Sequence, residues 1–248
     1  MSEPGPAPAY YAPRRGAGTG RFADWWSVLH PPYTAWHLSY VVIGASLAAH
    51  VDVGRLVATL VAFFCAVGLS AHAADELHGR PLRTTIPSAA LVAVTAAGLA
   101  VSVALGIAGV ARVGLALVPF IVIGPALVLG YNAELWGGAL HTDAAFAAGW
   151  GAFPLLTAYA AQADGIALAP VLGAVAAFAL SLAQRALSTP ARLLRRRLTS
   201  VRATVNLTDG TVQPIDAATL RAPLEGALRA MSWAMVALAA AIAVARLH

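Results

Sequence analysis

Seven apolar stretches of about twenty residues run along the chain, at about 34–51, 54–74, 87–108, 113–131, 144–162, 167–187 and 227–246. A hydrocarbon core about 30 Å thick is crossed by a helix of roughly 20 residues, so each stretch is long enough to span it. Several connections are only a few residues long, which makes successive helices antiparallel and packs them as a bundle. Ala and Gly fill these stretches and let backbones approach closely. The pattern predicts an all-α integral membrane protein of about seven transmembrane helices.

One segment breaks the helical period. Val201, Ala203, Val205 and Leu207 alternate with Arg202, Thr204 and Asn206, and Asp209-Gly210 follows. Alternation of period two before Asp-Gly predicts a β-hairpin closed by a type I′ turn, with Thr211 to Ile215 as the returning strand. Asp216 then stands as the N-cap of the last helix. Four regions result: a disordered cytoplasmic tail over 1–24, a six-helix membrane core over 25–187, an Arg-rich cytoplasmic segment with the hairpin over 188–225, and a final transmembrane helix over 226–248.

Composition strengthens the membrane reading: 59% of residues are hydrophobic, 11% are charged, and mean hydropathy is +0.73. The basic residues are all arginine, and with the N-terminus in the cytoplasm thirteen of the sixteen fall on that side, leaving only Arg55, Arg112 and Arg246 outside. That bias follows the positive-inside rule and predicts a bacterial cytoplasmic membrane protein with a cytoplasmic N-terminus. The pI near 10.0 has this topological origin; no soluble basic domain exists to carry a nucleic-acid surface. Cys65, the single cysteine, lies in an apolar run and reads as packing. The Asn206-Leu207-Thr208 sequon is a chance match at a cytoplasmic position.

Polar chemistry is gathered on the predicted cytoplasmic face. His72, Asp75 and Glu76 stand at i, i+3 and i+4 and share a helix face if the second span continues through them. Two carboxylates offer oxygen ligands suited to Mg²⁺, and His78, Arg80 and Arg83 follow directly. The plainer reading is a solvated loop in which Glu76 pairs with Arg80. A second cluster runs from Tyr131 to Asp143; Asp143 suits the N-cap of the fifth span, whereas Asn132 and Glu134 have no such structural task. Arg185, Arg192 and Arg195 to Arg197 fit either a phosphorylated substrate or anionic lipid headgroups. His37, about one turn into the first span, faces either a cavity or the interfacial belt of Trp36.

In this order the clusters resemble the UbiA-type membrane prenyltransferase superfamily. Leu29-His30-Pro31-Pro32-Tyr33-Thr34 through Ile43-Gly44-Ala45 is similar to the family's R-P-x-T opening and its Gly-Ala pair. His72 to Gly79 stands where the family carries N-D-x-x-D-x-x-x-D, and Arg80-Pro81 through Ile86-Pro87-Ser88 resembles the R-P-I-P-S that follows. Trp150-Gly151-Ala152-Phe153-Pro154-Leu155-Leu156 is similar to its G-A-L-P-x-L, and Tyr131 falls where a Tyr leads into the substrate-side loop. The resemblance covers residues 29 to 187. It departs after the sixth helix, where Gln184 to Arg192 supplies no carboxylate in place of a second Asp-rich motif, and in span number, seven against a usual nine.

The resemblance implies a UbiA-like bundle that binds a prenyl diphosphate in a cytoplasm-facing cavity and transfers the isoprenoid to an acceptor. Asp75 and Glu76 would be catalytic and, with His72, would hold Mg²⁺. His37, His72, His78, Arg80, Arg83, Asn132, Glu134, Arg185 and Arg192 would bind substrate. Two alternatives stay open on the same fold: a non-enzymatic lipid- or metal-binding membrane protein, and an intramembrane terpene cyclase. The 198–216 hairpin is an expected contact for a protein partner.

Overall fold

The structure, a computed structural model, describes residues 7–13, 20–132, 134–163, 165 and 167–247. A short helix α1 (Arg21–Leu29) precedes α2 (Pro31–Ser46), whose first turn holds two prolines where their missing N–H groups are unneeded. Helix α3 (Val53–Phe63) continues through a π-helical stretch, Phe64–Ala71, into α4 (His72–Leu77). Helix α5 is Ser88–Val113, and a 3₁₀ turn leads into α6 (Val118–Asn132). After the short α7 (Leu135–Gly138), α8 (Asp143–Ala147) passes through a second π-helical stretch into α9 (Phe153–Ala160). The long helix α10 (Leu168–Arg196), strands β1 (Ala203–Asn206) and β2 (Val212–Ile215), and helix α11 (Ala217–Leu247) complete the chain.

Among the described residues five helical units are long and apolar enough to cross a membrane: Val53–Leu77, Ser88–Val113, Leu115–Asn132, Leu168–Arg196 and Ala217–Arg246. The first and fifth predicted spans form helices at their predicted places but fall outside this set. Helix α2 has 16 residues, about 24 Å at 1.5 Å per residue. It is also the inner helix, packed by α9 and α11, with Trp36, Tyr40, Val41 and Ala45 at most 1% exposed. A helix enclosed by protein has no need of a fully apolar surface, which is why Ser39, His37 and Thr34 are buried on it.

Contact between α2 and α9 depends on Gly44. A Cβ there would stand 2.1 Å from the Leu155 carbonyl oxygen. Gly44→Ala is expected to lower stability by about 2 kcal/mol through forced backbone separation, whereas Gly226→Ala, where a Cβ meets nothing within 4 Å, stabilises slightly through helix propensity. Thermal unfolding of both variants in detergent checks the contrast.

The two ends of the bundle differ. At one pole the Asp52 N–H donates to Gln162 (2.8 Å), Arg55 donates to the Arg112 carbonyl (3.0 Å), and Arg246 donates to the carbonyls of Ser46 and Ala48. The other pole gathers the start of α2, the ends of α4, α6 and α10, and the start of α11 around a polar cavity.

Three local expectations change. Residues 7–13 are packed at the polar pole, with Ala9 and Ala12 8% exposed, and α1 already begins at Arg21; of the tail read over 1–24, residues 1–6 and 14–19 lie outside the described residues. The hairpin forms, pairing Ala203 with Ile215 and Asn206 with Val212, but its turn is longer than a two-residue type I′. Leu207 N–H bonds the Thr211 carbonyl and Gly210 takes φ +84°, giving a three-residue loop whose last position requires left-handed backbone. Asp209 accepts from the Thr211 hydroxyl and amide, which hold its carboxyl below the usual range. Finally, Thr142 rather than Asp143 caps α8, accepting from Ala145 N–H at 3.1 Å. Asp216 caps α11 as expected, accepting from Thr219 N–H at 2.7 Å.

Candidate functional site

The polar cavity encloses about 730 Å³, within the size range of small-molecule sites. Its lining brings together His37, His72, Asp75, His78, Arg80, Arg83, Asn132, Glu134, Arg185 and Arg192. Residues far apart in sequence meet because the start of α2 and the ends of α4, α6 and α10 converge at this pole.

Glu76 is elsewhere. Adjacent to Asp75 but turned away from the cavity, it is fully buried and accepts from Leu82 N–H (2.9 Å), Thr84 N–H (2.9 Å) and the Thr84 hydroxyl (2.8 Å). Its carboxylate fastens the loop that returns the chain from α4 to α5. The expected Glu76–Arg80 pair does not form either: Arg80, in left-handed backbone at φ 51°, donates to the Ile86 carbonyl (2.6 Å) and the Ser88 hydroxyl (2.7 Å).

Asp75 makes no hydrogen bond or ion pair among the described residues, and the charges of Arg192 and Arg196 act on it across the cavity. His72 lies beside it in the helix, its Nδ1 3.2 Å from the Gly68 carbonyl and its ring 4.5 Å from that of His30. His37, 3% exposed, donates from Nδ1 to the Trp150 carbonyl at 2.8 Å. That bond fixes the tautomer and leaves a lone pair on Nε2. Glu134, at φ 48°, sits between His78 (3.5 Å) and His141 (3.9 Å). Asn132 donates back to the Val128 carbonyl at 2.8 Å, which leaves its amide oxygen for other partners.

The arginines divide into committed and uncommitted groups. Arg185 pairs with Asp143 at 2.7 Å and lies over the Phe146 ring. Arg195 forms a bidentate pair with Glu225, both bonds 2.6 Å. Arg192 has one long contact, 3.4 Å to the Thr189 hydroxyl, among the described residues. It therefore keeps most of its donor fork for an anion.

Among the described residues no group of three or more His, Cys, Asp or Glu side chains is placed to hold a metal ion. With Glu76 bound to its loop, Asp75 is the one carboxylate of the first motif left at the cavity, and it faces arginines. The residues do not assemble the Mg²⁺ site that the sequence resemblance implies.

Beside the polar cavity lies an apolar one of about 550 Å³ between α3, α5, α6 and α9, lined by Phe63, Leu99, Ile121, Val128 and Phe153 among others. Trp150 lines both cavities. It stacks on Phe146, with ring planes 6° apart, and touches Tyr131, whose ring centre is 4.6 Å away. The Tyr131 hydroxyl and the Gln184 amide oxygen are buried near this wall without hydrogen-bond partners.

Sequence reading left His30, Tyr33, Gln184 and residues 8–11 out of the site, yet all line the cavity. For α10 a signal exists. Ala174, Ala177, Ser181, Gln184, Ser188 and Ala191 alternate at three and four residues and are all buried, so the inward stripe carries Gln184 into the site. Residues 8–11 give no such signal. No protein-family model, curated protein or solved structure matches the chain.

Proposed function

We propose that the chain binds a prenyl diphosphate, its anionic head in the polar cavity and its isoprenoid tail in the apolar one, and transfers the prenyl group to an acceptor. The observation that carries this reading is the contact of two cavities of opposite character at Trp150, with Arg192 uncommitted on the polar side. An amphiphile with a compact anion and a long hydrocarbon chain matches both compartments; a soluble phosphate leaves the apolar one empty. In this reading α2 and the α8–α9 unit complete seven crossings, and the polar pole faces the cytoplasm of a bacterial cell.

Transfer breaks the allylic C–O bond, and the electron pair leaves with the diphosphate, stabilised by the Arg192 guanidinium. The acceptor's nucleophilic atom forms the new bond to the allylic carbon, and its proton passes to the His37 Nε2 lone pair. No step is routed through Mg²⁺. A second reading, binding without turnover, is favoured by the commitment of Glu76 to its loop.

Purified protein titrated with farnesyl and geranylgeranyl diphosphate, with and without Mg²⁺, tests the assignment. Saturable binding is expected. Mass spectrometry of membrane extracts incubated with the bound compound then separates transfer, which adds a prenyl mass to another molecule, from cyclisation and from binding alone. Absence of binding to both compounds overturns the reading.

A further inference from the structure

Residues 7–13 are seated on two arginines that line the polar cavity within one helical turn of Arg192. Arg195 donates from Nη1 to the Ala7 carbonyl at 3.2 Å, and Arg196 donates from Nε to the Pro8 carbonyl at 3.0 Å. Pro8, Ala9, Tyr10 and Tyr11 form part of the cavity lining. Side chains also hold the segment down: the Tyr11 hydroxyl hydrogen-bonds His30 Nδ1, both tyrosine rings meet Tyr33 edge-on, and the Arg229 guanidinium lies 5.0 Å from the centre of the Tyr10 ring. Burial pushes His30 well below the usual imidazole range, so the ring is neutral.

We propose that residues 7–13 are an autoinhibitory strap, whose Ala7 and Pro8 carbonyls occupy the Arg195 and Arg196 guanidinium groups and must leave before an anionic headgroup binds. The inference rests on the anion-site reading above.

The physical basis is a competition for donors. Carbonyl oxygens carry only partial charge, so a diphosphate oxygen makes the stronger, charge-assisted bond to the same guanidinium. Among the described residues nothing else ties the strap's backbone to the core, and its one internal backbone bond is Ala12 N–H to the Ala9 carbonyl. The His30 Nε2 atom beneath it is buried without a partner, so the seated state leaves a polar group unsatisfied. A segment held by two carbonyl contacts and two aromatic side chains is poised to exchange with an anion.

The test measures inorganic pyrophosphate binding to the full-length protein and to a variant lacking residues 2–13. A strap seated about nine-tenths of the time lowers apparent affinity about tenfold, so the deletion is expected to bind about tenfold tighter. Equal or weaker binding by the deletion, with pyrophosphate still bound by the full chain, overturns the strap and leaves the anion site standing. Failure of both proteins to bind pyrophosphate overturns the anion site and the strap together. A second measurement does not depend on the deletion folding. Chymotryptic cleavage after Tyr10 and Tyr11 in the intact chain is expected to accelerate when pyrophosphate is added, and to be faster in Tyr11→Phe before any is added. Protection of these sites by pyrophosphate shows that the segment closes over the anion, and it overturns the competition.

Discussion

Arg192→Ala is expected to weaken farnesyl diphosphate binding by about 10- to 100-fold while leaving the unfolding midpoint unchanged. The two halves of that expectation come from one fact: among the described residues Arg192 has a single contact, 3.4 Å to Thr189. A side chain that supports almost nothing in the empty protein is removed without structural loss. A guanidinium that meets a diphosphate bidentately contributes about 1.5–3 kcal/mol through charge-assisted hydrogen bonds. Arg192→Lys keeps the charge but not the fork, and is expected to recover only part of the affinity. Arg185→Ala serves as the contrast, since it breaks the Asp143 pair and the stack over Phe146 and so lowers stability as well. Isothermal titration and thermal unfolding on the same preparations read both quantities. Unchanged affinity in a folded Arg192→Ala protein assigns this arginine to lipid headgroups and removes it from the site.

Placing the headgroup at Arg192 also gives the aromatic wall a role. Phe146, Trp150 and Tyr131 separate a compartment rich in arginine and histidine from one lined by Phe, Leu, Ile and Val. An amphiphile spanning the wall presents its junction, the allylic carbon in a prenyl diphosphate, to that wall and to His37, whose Nδ1 is bonded to the Trp150 carbonyl. One hydrogen bond therefore ties the backbone at Trp150 to the tautomer of the imidazole. Electron-rich aromatic faces stabilise positive charge developing at such a carbon.

Much of the helical framework was legible because hydropathy over about twenty residues is a local property. The Asp216 cap and the hairpin were legible for the same reason, since capping and strand alternation act within a few residues. The span status of α2 was not, because enclosure by α9 and α11 is set by tertiary packing. Within the site, Asp75 and Glu76 look equivalent in sequence, two acids side by side on the helix that follows a long apolar run. What separates them is a loop six to eight residues further on, where Leu82 and Thr84 present donors to Glu76 alone. Residues 7–13 were illegible in a stronger sense. Pro, Ala and Tyr in a short stretch carry no periodicity, and the partners of the Ala7 and Pro8 carbonyls lie on α10, 188 residues away. Long-range pairing of that kind leaves no local pattern to read.

Glu76→Ala is expected to destabilise the protein by about 3 kcal/mol, because two backbone N–H groups and a hydroxyl lose a buried charged acceptor. The residue is fully buried, so water does not replace the lost oxygen atoms at Leu82 and Thr84 without opening the loop. Loop opening has a wider consequence. Leu82 and Ile86, 1% and 4% exposed, pack with Val28, Ala73 and Leu91, and this cluster joins α1, α4 and α5 beneath the cavity. Glu76→Gln keeps one carbonyl oxygen for the Thr84 pair but sets its NH₂ against the Leu82 N–H, so its loss is expected to be smaller, about 1–2 kcal/mol. Thr84→Val removes only the hydroxyl bond and is expected to cost about 1 kcal/mol. Asp75→Asn, by contrast, takes away no hydrogen bond among the described residues and is expected to leave stability unchanged while altering the response to anionic ligands. Denaturant unfolding in detergent orders the four variants. A Glu76→Ala protein that unfolds like the wild type yet no longer binds a prenyl diphosphate returns Glu76 to the ligand set and overturns its assignment as the clasp of the α4–α5 loop.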